Sequence, residues 1–402
     1  MHSPPLLRYN GTNDRSVMNS RQFNRELPPA IPVNGHGELA ARKYDEPEHP
    51  YRSPFARDAA RILHARAFRR LAGKTQVFSR LATDFPPDHV RSRLTHTLEV
   101  AQISRTIAAA LGLNQQLAEA LALVHDIGHP PFGHAGEKAL DAALSRHGLG
   151  FDHNLHALRI VTWFEERYPA HRGLNLTLAI REGIIKHSRD YASASHPELA
   201  EYFLDLRPPL EAQLIDLADE IAYLTADFDD GLDSGILSIA DVCAQVPLFK
   251  HLNDAVLAQY PAAPPKLAVY ETLNRMMNAL VTDLIEEIHR RVIRSGFTTL
   301  HEIRRAPARL AALSPAVEAD RATAKRYLYT NFYNSPGMEE EHERAAKVVQ
   351  EVFSTLMTRP ELLPADHQVQ IPTEGLARTV ADYIAGMTDS YIEQLWTRHV
   401  QK

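Results

Sequence analysis

Thirteen consecutive residues, His125-Asp126-Ile127-Gly128-His129-Pro130-Pro131-Phe132-Gly133-His134-Ala135-Gly136-Glu137, constrain this chain more than any other stretch. They set three histidines and two carboxylates into a turn punctuated by glycine and proline. Upstream, Leu117, Leu121 and Val124 follow at steps of 4 and 3, one face of a helix, so the His-Asp pair leaves that helix at its C-terminus. Gly128 and Pro130 then stop it. An adjacent His-Asp pair offers a borderline nitrogen and a hard oxygen, which suits manganese, iron, cobalt or magnesium and not a thiolate-type zinc site. A bare His-Asp dipeptide is weak evidence by itself, because such pairs arise by chance. Its position at the end of a buried helix is what gives it meaning.

Two other helical registers point at the same place. Over Val90 to Leu111, counting from His96, the apolar residues Val100, Ile103, Ile107 and Leu111 follow at steps of 4, 3, 4 and 4, so His96 faces inward with the core stripe. A lone histidine on such a face is more often a satisfied core residue than a ligand, but Arg93 and Glu99 sit close to it and also need partners. Over Leu210 to Asp230, Leu214, Leu217, Ile221 and Leu224 form one stripe, and Asp216, Asp219, Tyr223 and Asp227 form a second. Tyr223 among small alanines argues for close packing there. A centre of two histidines and two aspartates needs one His before the His-Asp pair and one Asp after it, and His96 and Asp219 are the inward-facing candidates. Ligands so far apart in sequence must converge through helix packing. Such a set leaves coordination positions open, as catalysis requires.

The remaining chain reads as helices and loops. Residues 1–50, rich in proline, asparagine and glycine, carry no sustained period and read as a mobile tail. A first helix is expected after Pro54, and a fourth from about His134 to Leu144, where His134 and Glu137 stand three apart and project together. Phe151-Asp152-His153-Asn154 caps a fifth, ending near Tyr168. A sixth runs from Leu176 to His187, and amphipathic helices are expected at about 267–295, 338–358 and 374–398. The expected organisation is a core over 51–250 and a helical extension over 251–402 that packs on it and contributes to the pocket and to oligomer contacts. The fold class is all-α.

Composition excludes some functions. No apolar run approaches the ~18 residues of a membrane span, and the N-terminus has no apolar signal core. A single cysteine, Cys243, leaves no internal disulfide and no cysteine metal cluster, which fits a reducing cytoplasm. The net charge of -6 argues against generic nucleic-acid binding. Six basic residues from Arg57 to Lys74 leave room for one anion-binding cleft.

The pattern His96, His125-Asp126, Asp219 resembles the HD-domain superfamily. The runs Arg91-Ser92-Arg93-Leu94-Thr95-His96, His125 through Glu137, Phe151-Asp152-His153-Asn154 and Leu217-Ala218-Asp219-Glu220-Ile221-Ala222-Tyr223 are similar, in order, to the bacterial deoxyguanosinetriphosphate triphosphohydrolase-like family. That resemblance spans about residues 50–335. It implies an all-helical HD core, one divalent metal ion per active site (manganese, magnesium or cobalt) held by His96, His125, Asp126 and Asp219, and hydrolysis of a deoxynucleoside triphosphate to deoxynucleoside and inorganic triphosphate. By motif position it makes His134 the catalytic histidine, oriented by Glu137, and it offers Arg93 and Lys186 for the phosphates. Gln76 and Tyr223 fall at positions that contact the deoxyribose. Family members commonly form homo-oligomers, with deoxynucleoside triphosphates as substrates and also as activators.

Two residues depart from the family pattern. His156 stands where glutamine is expected, which bears on the sugar or base edge of the pocket. Asn334 stands where many members have arginine, which removes a phosphate contact. Two other readings compete: an HD-type phosphohydrolase acting on mono- or cyclic nucleotides, and a low-activity regulator that senses nucleotides or binds single-stranded nucleic acid.

Overall fold

Helical periodicity carries over into the three-dimensional structure, a computed structural model that describes residues 25–76 and 91–400. Among the described residues eighteen α-helices carry the chain, and β pairing is limited to isolated bridges. In order they are α1 Pro54–Leu63, α2 Arg66–Arg70, α3 Arg93–Leu111, α4 Gln115–Val124, α5 Gly133–Ser145, α6 His153–Arg159, α7 Leu178–Ile185 and α8 Leu210–Asp233, then α9 Ile239–Gln245, α10 Pro247–Gln259, α11 Pro265–Ser295, α12 Leu300–Arg304 and α13 Pro315–Leu328, and finally α14 Pro336–Thr358, α15 Ala365–Gln368, α16 Ile371–Glu374, α17 Leu376–Ala385 and α18 Asp389–His399. No helix among them is long and apolar enough to cross a membrane.

Each boundary near the site has a local cause. Gly112, left-handed at φ 68°, ends α3, and the Asn114 side chain accepts the Leu117 amide at 3.1 Å to begin α4. The Asp152 carboxylate accepts the amides of Asn154 and Leu155 and starts α6. That helix is shorter than expected. It gives way to a single wide turn over Ile160–Phe164 well before Tyr168. The single helix expected over 374–398 is likewise two, because Gly386 follows α17 and Thr388 caps α18.

The apolar interior gathers in two clusters. In the first, the inward stripe Val100, Ile103, Ile107 and Leu111 of α3 is buried against α4 and α8, each side chain contributing about 1.5–3 kcal/mol. The helices α10 and α11 join this same cluster. The second collects α14, α17 and α18 around the outer face of α5 through Leu140, Leu144, Val349, Val352 and Ile384. The helix α14 touches both clusters, giving Met338 to the first and Val348, Val349 and Val352 to the second.

The segment expected as a tail needs correction over residues 25–50. Leu27, Ile31, Val33 and Leu39 are buried in the first cluster, and the Leu27 amide donates to the Leu111 carbonyl. Its prolines disfavour a continuous α-helix and only a short 3-10 turn forms over Glu38–Ala40, but four spaced apolar anchors suffice to hold this segment on a helical surface. Residues 1–24 of that expected tail, and residues 77–90, lie outside the described residues.

Candidate metal centre and active-site cavity

The first turn of α3 is set by a reciprocal cap: the Ser92 hydroxyl accepts the Thr95 amide at 3.4 Å, and the Thr95 hydroxyl accepts the Ser92 amide at 3.2 Å. That places Arg93 and His96, three apart, on the buried face. The helix α4 runs directly into His125. Its Nδ1 donates to the Ala122 carbonyl across 2.6 Å, which leaves Nε2 as the free donor atom of the ring. Across from both, α8 delivers Asp219.

The four expected ligands meet. His96 Nε2 lies 2.7 Å from Asp219 Oδ1, and His125 Nε2 lies 3.5 Å from Asp126 Oδ1 and 3.6 Å from Asp219 Oδ1. Donor atoms of His96, His125 and Asp126 all fall within 4.8 Å of one another. Burial raises the Asp126 carboxyl, but Arg93, His125 and His129 outweigh it and hold it well below the usual carboxylate range. Asp219 is lowered in the same way, burial being outweighed by His125 and His96. Burial opposes a charge on His125, yet Asp126 and Asp219 push its pKa up to about 9. A buried and a partly exposed anion thus call for positive charge at this point, and a proton on His125 is one way to supply it. A divalent ion is the other, since it displaces such protons when it binds imidazole. His125 Nε2 is buried without a hydrogen-bond partner, and two nitrogens with two carboxylates form a mixed donor set that a divalent ion accepts. The residues present fit a metal.

Arg93 is committed to this centre. Its Nη1 donates to Asp126 Oδ2 at 2.7 Å, so it neutralises and aims a ligand carboxylate. Lys186 is placed differently from the phosphate-holding position expected of it. Its ammonium, only 3% exposed, donates to Glu182 Oε1 at 2.5 Å and to the Phe203 and Leu206 carbonyls at 2.7 Å. Those three acceptors use all of its donors, and the side chain is tied into the α7 packing.

Beyond the His-Asp pair the chain folds back sharply. A Cβ on Gly128 would lie 2.0 Å from the His153 carbonyl oxygen, so glycine is required for the start of α6 to close over the turn. That closure stacks His153 on His129 with ring centroids 4.1 Å apart. Glu137 sits beneath them and accepts from the His153 amide at 3.1 Å and from its Nδ1 at 2.8 Å. Its other oxygen is 3.5 Å from His134 Nδ1. Burial would raise the Glu137 carboxyl, but His134 and His153 keep it well below its usual range. His129 is pushed strongly toward its neutral form by burial and by Arg93. His134 itself is 68% exposed.

Next to His134 opens a cavity of about 320 Å³. Gln76, Phe132 and His134 line one side, and Tyr223, Tyr333 and Asn334 the other. Tyr223 lies one turn beyond Asp219 on α8, so cavity and metal centre share a wall. Its ring stacks on Tyr333 at 5.8 Å, and the Tyr333 hydroxyl donates to buried Asp227. Gln76 Oε1 is buried with no partner. His156 is elsewhere. It lines a second cavity of about 530 Å³ between α2, α6 and α17, where its Nδ1 is 3.3 Å from Asp382 Oδ1. The expectation that it shapes the sugar or base edge of the catalytic pocket is therefore corrected, because the α6 helix turns its ring away from that pocket.

Residues 93–224 match the HD domain, and residues 311–398 match the phosphohydrolase-associated domain. Similarity to curated relatives runs over nearly the whole chain. A deoxyguanosinetriphosphate triphosphohydrolase-like protein of Thiobacillus denitrificans is 43% identical over 367 residues, covering 90% of this chain and 95% of that relative. Proteins of the same name from Brucella ovis (43%, covering 87% and 90%) and Ralstonia pickettii (40% over 380 residues, covering 94% and 96%) agree. The chain belongs to the deoxyguanosinetriphosphate triphosphohydrolase-like family. It is thus an HD-domain member of a phosphohydrolase family, with a His/Asp cluster able to hold a metal. In this dGTPase-like chain sequence reasoning did not single out His129, His153 or Tyr333, and named Asp227 only as one of a helical stripe. The first two stood inside quoted motifs, but their stacking depends on the Gly128 contact with α6 and has no sequence period. Tyr333 reaches the cavity through a wide turn over Tyr329–Tyr333 that breaks helical register.

Proposed function

We propose that this protein is a metal-dependent deoxynucleoside triphosphate triphosphohydrolase. The observation that carries the reading is that a centre calling for cationic charge shares a wall with an aromatic-sided cavity lined by His134, whose ring lies 5.5 Å from that of His129 beside Asp126. The relatives' name points to the same reaction class. In that reaction water attacks the α-phosphorus, the bond from phosphorus to the 5′-oxygen breaks, the water gives up a proton and the 5′-oxygen takes one. The products are a deoxynucleoside and inorganic triphosphate.

A manganese, magnesium or cobalt ion on His96, His125, Asp126 and Asp219 would supply charge against an α-phosphate oxygen. His134, an exposed imidazole beside Glu137, suits proton transfer at the attacking water or at the leaving 5′-oxygen. Glu137 holds its tautomer, and His153 in turn holds Glu137. Arg93 acts through Asp126, keeping the carboxylate aimed. Gln76 Oε1 is an acceptor awaiting a sugar hydroxyl, and the Tyr223 ring crowds C2′ against a ribose hydroxyl. Deoxynucleoside triphosphates are then the partners, as substrate and as activator, with a homo-oligomer as the working form.

The test incubates the purified protein with each dNTP, singly and mixed, in magnesium, manganese or cobalt, and identifies products by chromatography. Inorganic triphosphate with free deoxynucleoside is expected. A deoxynucleoside monophosphate product, or release of orthophosphate alone, rejects the reaction. Asp126→Ala and His134→Ala should each abolish turnover with helical content retained in circular dichroism. Wild-type rates in either variant reject the site.

A further inference from the structure

We infer that His187 is a fifth donor to the metal centre, making it a site of three nitrogens and two carboxylates. The inference rests on the four-ligand reading above and goes beyond it. His187 follows the end of α7 and is buried, and the next residue, Ser188, is left-handed at φ 57° without being glycine. That strained turn holds the imidazole in the site, where its ring lies 5.3 Å from the His125 ring at 71°. One of its ring nitrogens, the donor atom of His125 and a carboxylate oxygen of Asp219 all lie within 4.8 Å of one another.

Behind the ring stands the support that metal-bound histidines have. His187 Nδ1 is 2.7 Å from Asp216 Oδ1, which also accepts the Ser188 amide at 3.0 Å, and Arg309 Nη1 holds Asp216 Oδ2 at 2.5 Å. Nδ1 is buried and makes no hydrogen bond in this arrangement, and a carboxylate beside one imidazole nitrogen favours metal binding through the other. The Ser188 hydroxyl stands 3.3 Å from Nε2 and is free to turn its proton away. Asp216 and Asp219 are three apart on α8, so one helix face presents both a ligand and the brace of another ligand. An ordinary buried histidine would be served by Ser188 at Nε2 and Asp216 beside Nδ1. It would not need a second imidazole and a second carboxylate grouped at its far side. A third nitrogen also moves the donor set away from magnesium, which keeps oxygen ligands, and toward manganese or cobalt.

The experiment titrates metal-free, full-length protein with Mn²⁺ and follows bound ion by electron paramagnetic resonance. Pulsed spectra then count directly bound imidazole nitrogens. Three are expected in the wild type and two in His187→Gln, whose affinity should fall about tenfold or more. Magnesium should compete poorly in the wild type. Two nitrogens in the wild type overturn the inference without any substitution, and so does unchanged affinity and nitrogen count in a folded His187→Gln. His125→Gln separates the readings. Binding that survives it overturns the four-ligand centre as well, whereas binding lost with it but indifferent to His187→Gln overturns the fifth donor alone.

Discussion

Arg93 and Asp126 face each other across 2.7 Å with side chains 3% and 6% exposed. Removing the guanidinium would strand a carboxylate in a low-dielectric interior, a larger penalty than the net worth of the pair. Arg93→Ala should therefore lower the unfolding free energy of metal-free protein by about 3 kcal/mol, read from urea denaturation. A loss below about 0.5 kcal/mol would mean that water already solvates Asp126. Tyr223 is tested by selectivity. Its ring is braced by Tyr333 against the cavity, so Tyr223→Ala should narrow the preference for deoxy- over ribonucleoside triphosphates about tenfold or more. Parallel kcat/KM measurements on each dNTP and its ribose counterpart decide it, and an unchanged ratio would remove Tyr223 from sugar recognition.

The irregular segment before α1 acts as a structural element because charge as well as apolar contact secures it. Glu46 accepts from Arg57 and Arg61, each at 2.5 Å, and from Asn175 at 2.6 Å. Partial burial pushes its carboxyl up, but the Arg61 guanidinium, Asn175 and Arg42 outweigh this and bring its pKa from 4.5 down to about 2. A depressed acid stabilises the fold above its unfolded pKa, and that stabilisation fades as pH falls from 4.5 toward 2. Glu46→Gln should cost stability near neutral pH and flatten the acid limb. Urea midpoints at about pH 5 and about pH 3 check this, the wild type losing more between them than the variant. Equal losses would show that Glu46 is not a contributor to acid sensitivity.

At the scale of the molecule, the second apolar cluster holds the rim of the cavity formed by the first. Asp389, at the start of α18, accepts the Phe132 amide at 2.9 Å, the Thr75 amide at 2.8 Å and the Thr75 hydroxyl. Phe132 is left-handed at φ 62°, a conformation that needs such an external hold. Asp389→Ala should speed amide hydrogen exchange at Thr75 and Phe132 about tenfold, the equivalent of ~1.4 kcal/mol per lost bond. Unchanged exchange at both would show that the two clusters are independent there. Much of this protein was legible in the chain alone: the all-helical class, the capped start of α6, and the inward registers that single out His96, His125-Asp126 and Asp219. These follow from 3.6-residue periodicity and local capping, which neighbours in sequence decide. Tertiary packing alone decided that Lys186 spends its charge on Glu182 and two carbonyls, that His156 faces Asp382 in another cavity, that residues 25–50 bind the core, and that His129, His153 and His187 gather around the centre. The reason is physical: a side chain's partners across helices depend on interhelical approach and on single close contacts such as Gly128 against His153, and no periodicity within one segment encodes them.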